Sequence, residues 1–237
     1  MLKTLINLLF PKYCLICNQI IADGYFCHSD FNKLHYISKP ACKICSYPFE
    51  FEIDNEMLCP KCLGKKPPYS KALSIFRYDE ISKKFIGNLK YRDNSHLAKD
   101  FAQIIYNHSQ EILKNNINFI IPVPLHKKRL RKRKYNQSAL IVKYLSQLTN
   151  ITAIYDLLIR VKDTVPQTTL NKNLRAKNIS GAFILNKKFA EIIKERNILL
   201  IDDVVTSGAT IEACSKILLK AKVNKIYVIT LAKTVLN

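Results

Sequence analysis

The sequence predicts an α/β protein, a mostly parallel sheet flanked by helices, preceded by a small cysteine-rich segment. Three observations predict it. Seven of the eight cysteines lie between residues 14 and 62. From residue 72 onward, short apolar runs alternate with segments whose apolar residues recur at helical spacing. One such run, Ile198-Leu199-Leu200-Ile201, leads into two adjacent carboxylates and then a loop of small, hydroxylated residues. Strands alternating with helices imply a parallel sheet covered on both faces.

At 237 residues the chain is long enough for one or two domains with a full core. A cysteine-rich domain is expected over 1–70 and the α/β domain over 71–237, with Lys65-Lys66-Pro67-Pro68 as the linker. Met1 to Phe10 is apolar, has one Lys and no small-residue cleavage site, and runs into Pro11. It reads as an amphipathic helix packed on the protein rather than a signal peptide. No apolar run is long enough for a transmembrane segment. Eight cysteines without an export signal point to the reducing cytoplasm and to metal ligation rather than disulfides.

The cysteines come as Cys14-x-x-Cys17, Cys27 alone, Cys42-x-x-Cys45 and Cys59-x-x-Cys62. Each Cys-x-x-Cys pair sets two thiolates on one side of a tight turn. Cys42, Cys45, Cys59 and Cys62 therefore complete a tetrahedral structural Zn²⁺ site. The first set has three thiols, with Asp30 or His28 as the fourth ligand of a second Zn²⁺, or else no metal at all. Few long periodic segments occur before residue 70, so metal would replace the core that this part lacks.

Beyond the linker, Ala72 to Tyr78 reads as a strand, and Glu80 to Tyr91 and Ser95 to Lys114 as helices. Asn118 to Val123 is a buried strand, and Asn136 caps a helix that runs to Leu148. Leu157 to Val161 is a possible strand. Ile198 to Asp202 and Lys225 to Leu231 are strands flanking a helix from Ala209 to Ala221. Cys214, one turn into that helix, reads as a core thiol.

The formal charge is +20, unevenly spread. Residues 1–70 hold 8 Lys/Arg against 6 Asp/Glu, and the remainder holds 30 against 12. The densest cluster is Lys127-Lys128-Arg129-Leu130-Arg131-Lys132-Arg133-Lys134, a surface suited to polyanions. Closed metal sites would bring the ribbon near neutrality, which argues against it as the main electrostatic contact for DNA.

A loop with backbone N–H groups at a helix N-terminus suits a phosphate, and two carboxylates before it suit ribose hydroxyls or Mg²⁺. The order Ile201-Asp202-Asp203-Val204-Val205-Thr206-Ser207-Gly208-Ala209-Thr210 resembles the phosphoribosyl pyrophosphate signature of type I phosphoribosyltransferases. Nearly the whole chain resembles the ComF proteins, a competence-associated (ComFC/GntX-like) phosphoribosyltransferase-fold group. The stretches that carry this are LLFPKYCLIC, CKIC, CPKC, NLKYRDNSHLA, PVPLHKKRLRKRKYNQS, PQTTLNKNLRAKNISGAF and LLIDDVVTSGAT. Lys134 stands where that family often has Gly, and Asp30 where it has a fourth Cys.

The resemblance implies a type I phosphoribosyltransferase-like fold behind a double zinc ribbon. It implies transfer of ribose 5-phosphate from phosphoribosyl pyrophosphate, with Mg²⁺, to an acceptor left open. Asp202 and Asp203 would serve the ribose and metal, and Val204, Val205, Thr206, Ser207, Gly208, Ala209 and Thr210 would bind substrate. His126, Lys127 and Lys90 would face the pyrophosphate. Arg160, Lys162 and Gln167, from a long polar stretch also holding Thr164, Arg175 and Asn178, would close over the site. A glutamine-dependent amidotransferase is not expected, because residue 2 is Leu with no nucleophile domain ahead of the ribbon. Two other readings stand beside the enzyme. One is a non-catalytic protein for uptake or processing of single-stranded DNA, using residues 127–134 and competence proteins as partners. The other is a zinc-dependent scaffold.

Overall fold

The computed structural model describes residues 11–51, 57–89, 94–163 and 179–235. The expected helix over residues 1–10, together with Lys90, Thr164, Gln167, Arg175 and Asn178, lies outside the described residues.

The N-terminal part is built twice on one plan. Strands β1 (Lys12–Tyr13) and β2 (Ile20–Ile21) pair antiparallel around the first knuckle. In that knuckle Cys14 N–H donates to the Gln19 carbonyl, and Asn18, at a φ of 59°, donates back to Cys14. The second knuckle repeats this: Cys42 donates to Tyr47, and Ser46, at a φ of 52°, donates to Cys42. Each knuckle is answered by a short helix that starts at a cysteine. Helix α1 (His28–Phe31) starts at Cys27, and α2 (Pro60–Gly64) starts at Cys59. Asp30 thus occupies in α1 the place that Cys62 occupies in α2.

The larger part is a five-stranded sheet, all of whose pairings are parallel. Strand β3 (Lys71–Arg77) leads through Asp79, a capping residue, into α3 (Glu80–Asn88). Helices α4 (Leu97–His108) and α5 (Gln110–Leu113) follow. The single helix expected over 95–114 is therefore broken at Ser109, whose backbone leaves the helical region (φ −111°, ψ 16°). Next come β4 (Phe119–Pro122), α6 (Lys127–Arg133), α7 (Gln137–Thr149) and β5 (Thr152–Ala153). Strands β6 (Leu158–Arg160) and β7 (Phe183–Leu185) form a separate antiparallel pair. The chain ends with β8 (Asn197–Val205), α8 (Ala209–Lys220) and β9 (Lys225–Lys233).

The strand order is β3-β9-β8-β4-β5, which makes β8 the middle strand. Residues Ile198 to Ile201 are fully buried, as a strand covered on both faces requires. Alternation along β8 sorts the run between two cores. Leu199 and Ile201 join Phe76, Phe85, Phe101 and Leu145 on the face of α3, α4 and α7. Ile198 and Leu200 join Ile211, Cys214 and Leu218 on the face of α8.

Strand β3 is an edge strand, and the cysteine-rich part covers its outer side. Ala72 N–H donates to Ile44, Ile37 N–H to Ile75, and Arg77 N–H to His35, while Tyr36 bridges Phe76. No helix among the described residues is long and apolar enough to cross a membrane.

Candidate functional site

Two clusters of metal-type donors form in the N-terminal part. In each, four candidate ligand atoms lie within 4.8 Å of one another: Cys42, Cys45, Cys59 and Cys62 in one, and Cys14, Cys17, Cys27 and Asp30 in the other. A tetrahedral Zn²⁺ with bonds of about 2.3 Å to sulfur sets its thiolates about 3.8 Å apart. The Cys45 and Cys59 sulfurs are 3.6 Å apart, and those of Cys17 and Cys27 are 3.7 Å apart. The Asp30 carboxylate is 3.3 Å from Cys14 Sγ and 3.4 Å from Cys27 Sγ. The donor sets fit zinc. The Cys17 thiol beside it holds the Asp30 carboxyl down at about 2, so Asp30 offers an anionic oxygen. His28 is not a member of either cluster.

The second candidate region lies at the carboxyl end of β8, where parallel α/β sheets bind ligands. The strand expected to stop at Asp202 continues to Val205. Its ladder with β9 pairs Asp202 with Thr230, Val204 with Ala232 and Val205 with Lys233. Both carboxylates are therefore carried on the strand itself and are half-buried. Asp202 Oδ1 accepts from Ser138 Oγ at 3.2 Å and from Asp203 N–H at 3.0 Å, and Asp203 Oδ1 accepts from Val204 N–H at 2.7 Å.

Beyond Val205 the chain turns through Thr206, Ser207 and Gly208 into α8. Gly208 is the N-cap, at a φ of 84°, a left-handed conformation that favours glycine. It supplies no side-chain acceptor to the first turn of the helix, and Ala209 N–H has only a long contact, 3.4 Å, with Ser207 Oγ. The loop thus presents a helix N-terminus and the hydroxyls of Thr206, Ser207 and Thr210 on one short path.

The turn Val123-Pro124-Leu125-His126 lies beside this strand end, because Val123 N–H donates to Ile201. Asn136 fixes the turn: its amide donates to the Val123 carbonyl at 2.9 Å while its Oδ1 caps α7 through Ser138 N–H. His126 caps α6 and lies 3.6 Å from Asp163, which also lies 3.6 Å from Lys128. The basic cluster is largely a helix, with Lys127, Lys128, Arg131 and Lys132 exposed and Arg129 half-buried.

Arg160 differs from the expectation of a residue closing over the site. It lies on β6, is 7% exposed, and stacks over Phe183 with 5.3 Å to the ring centre. Burial lowers its guanidinium, as does Arg129, while Cys214, Asp202 and Asp163 oppose that shift. Arg160 is thus a buried cation on the same side as Asp202. Lys162 donates to the Ser180 carbonyl at 2.9 Å. Cys214 is fully buried and burial pushes its thiol up, in keeping with a core role. A cavity of about 630 Å³ lies elsewhere: Lys66, Tyr69, Lys71 and Asn224 line it at the amino ends of β3 and β9. It contains none of the residues just described.

Residues 5–63 match the double zinc ribbon domain family. Over 230 residues the chain is 30% identical to competence protein F of Haemophilus influenzae, covering 94% of this chain and 98% of that protein. The chain belongs to the competence protein F (ComF) family. Another ComF relative, the DNA utilization protein YhgH of Escherichia coli K12, is 26% identical over 94% of this chain and 98% of its own length. Among solved structures, the ComF chain is similar to the glutamine phosphoribosylpyrophosphate amidotransferase of Bacillus subtilis. That likeness has 15% identity and a TM-score of 0.41, over 61% of this chain and 30% of that one.

Ser138, Asp163 and Arg129 had no individual signal as site residues in the ComF sequence. Ser138 and Asp163 are far in sequence from the residues they touch, and Arg129 is one of several cations in a run of Lys and Arg broken only by Leu130.

Proposed function

We propose that this chain binds phosphoribosyl pyrophosphate together with Mg²⁺ and transfers its ribose 5-phosphate to an acceptor nucleophile. One observation carries the reading: adjacent carboxylates at the end of the middle strand run directly into a Gly208-capped loop at the start of α8. Carboxylates are acceptors for ribose hydroxyls, and the loop's N–H and hydroxyl donors suit the 5′-phosphate. A surface for polyanions alone gains nothing from two negative charges beside a phosphate pocket.

In the reaction, the bond from ribose C1 to pyrophosphate breaks and its electron pair leaves with pyrophosphate. The acceptor's lone pair forms the new bond to C1. Asp202 and Asp203 would hold Mg²⁺, which when bound screens the charge of the diphosphate. Thr206, Ser207, Gly208 and Thr210 hold the 5′-phosphate and fix C1. His126, at the neighbouring turn, and Lys127 and Arg129, on the α6 helix it caps, favour the departing anion electrostatically. Residues 1–70 are the metal-held ribbon and 71–237 the transferase part, working in the reducing cytoplasm, where thiolates remain available to zinc.

The test is a calorimetric titration of phosphoribosyl pyrophosphate into zinc-loaded protein, with and without Mg²⁺, beside Asp203→Asn. Binding that needs both Mg²⁺ and Asp203, with the variant's circular dichroism unchanged, supports the reading. Equal affinity in the variant removes the carboxylate role. The exposed cations of α6, and relatives named for competence and DNA utilization, favour a second reading in which the chain binds single-stranded DNA alongside competence proteins. DNA retention by Asp203→Asn protein that has lost the sugar phosphate would separate the two activities.

A further inference from the structure

Lys61 lies between two candidate zinc ligands, Cys59 and Cys62, yet its side chain reaches the loop after β8. Its Nζ donates to the Ser207 carbonyl at 2.8 Å and lies 3.0 Å from Glu212 Oε1 in the first turn of α8. A Cβ built on Gly208 would come within 3.2 Å of the same nitrogen. An ammonium carries three donors, and these contacts use two. The neighbouring Lys233, at the end of β9, donates to the Cys45 carbonyl at 2.8 Å, so the knuckle and the sheet end are tied from both directions.

The helix bearing Lys61 has five residues. A helix that short does not hold itself in water. What fixes α2 is its cysteines: Cys59 starts it, Cys62 lies within it, and both turn into the cluster with Cys42 and Cys45. With metal in the cluster, Lys61 is delivered to one place. Without it, four thiols lose their common anchor, and the reach of Lys61 to the loop loses its support. Glu212 would then remain in the first turn of α8 without the Lys61 ammonium beside it.

We propose that Lys61 is a positioning residue for the 206–210 loop, and that metal in the Cys42/Cys45/Cys59/Cys62 cluster sets, through Lys61, the loop's affinity for the phosphate monoester of a sugar phosphate. The proposal rests on the ligand reading given above. It assigns the ribbon a role in the site that goes beyond holding itself folded.

The experiment compares zinc-loaded wild type, Lys61→Met and Lys61→Arg by calorimetry with ribose 5-phosphate, phosphoribosyl pyrophosphate and inorganic pyrophosphate, all with Mg²⁺. Lys61→Met should weaken the two sugar phosphates about three- to tenfold, the effect of removing the Lys61 contacts to Ser207 and Glu212, which solvent partly screens. Pyrophosphate, which has no 5′-phosphate, should bind as before, and Lys61→Arg should recover most of the loss. Zinc content is measured on each variant, and an unchanged value shows that the ribbon is intact. Hydrogen exchange of residues 206–210 is followed in parallel and should quicken in Lys61→Met and in chelated wild type alike.

If wild type binds phosphoribosyl pyrophosphate and Lys61→Met binds it equally well, the positioning role is overturned and the ligand reading stands. If wild type binds neither sugar phosphate, the ligand reading falls. Exchange then still decides the coupling: a loop indifferent both to chelation and to Lys61→Met overturns it.

Discussion

Ser138, in the first turn of α7, donates its hydroxyl to Asp202 on β8 across 3.2 Å. The bond joins the helix that Asn136 fixes to the turn before His126 with the strand that carries both carboxylates. Ser138 is 3% exposed, so water has little access to replace it. Ser138→Ala should keep the fold and weaken Mg²⁺-dependent binding of phosphoribosyl pyrophosphate about three- to tenfold, the range set by losing one hydrogen bond to a charged group. Calorimetry on the variant, with circular dichroism as a control, checks it. An affinity equal to wild type would mean that Asp202 is held by its other partners.

The basic helix makes a separate prediction. Arg131 and Lys132 are exposed, whereas Arg129 is half-buried and is one of the charges around Arg160. Replacing Arg131 and Lys132 with Gln should lower the salt slope of single-stranded DNA binding by about 0.7 for each phosphate no longer neutralised. Sugar-phosphate affinity should be unaltered. A DNA slope equal to wild type would place the phosphate-neutralising surface away from α6.

Lys134 ends α6 in the left-handed region, at a φ of 66°, with its N–H on the Leu130 carbonyl at 2.7 Å. A turn often made by glycine in the family is thus kept here by a lysine, at a cost of about 1–2 kcal/mol of backbone strain. Lys134→Gly relieves that strain but gives the unfolded chain more freedom. The net gain should be about 1 kcal/mol, or about 2–4 °C in Tm for a chain of this size. Thermal unfolding at matched zinc loading reads it, and a lower Tm would show that the lysine side chain itself is needed.

Asp79 links the two halves of the chain and gives a pH signature. Its Oδ1 accepts from Ile81 and Ser82 at the start of α3, and its Oδ2 meets His35 Nδ1 at 2.8 Å. Burial pushes its carboxyl up, but hydrogen bonds from Ser82 and His35 outweigh that and leave it below the usual value. A carboxyl depressed in the folded state adds stability that is present above its unfolded value of about 3.9 and is lost as pH falls through the folded value. Asp79→Ala should cost about 1 kcal/mol at neutral pH, as for other helix caps. The gap to wild type in urea unfolding should narrow below about pH 4. A gap independent of pH would assign the loss to packing rather than to the ionised cap.

How much of this was readable before the structure depended on whether the cause was local. The run Ile198 to Ile201 announced β8 because a strand buried on both faces needs consecutive apolar residues. Its true end did not show, because Asp202 is polar by composition yet stays in the ladder with β9, whose Thr230 comes more than 20 residues later. Spacing brought Asp30 forward as a candidate, since a ligand three residues after Cys27 repeats the Cys59 to Cys62 interval, but it left His28 and a metal-free turn beside it. Arg160 was not: its burial depends on β7, a three-residue strand with no periodic signal. Lys61 and Ser207 are 146 residues apart, and no local pattern announces such a contact.

The ribbon's cover over β3 bears on how the chain is made. Translation yields residues 35–44 before β3, and β9, the inner partner of β3, last of all the strands. An apolar edge strand left open invites pairing with another chain. Here the outer neighbours of β3 are already made when it emerges, so one side can be closed long before the other. A chain begun at residue 71 would keep every residue of the candidate phosphate loop and lose that protection. Its failure would come as self-association during synthesis, with the ligand-contacting side chains of the loop still present.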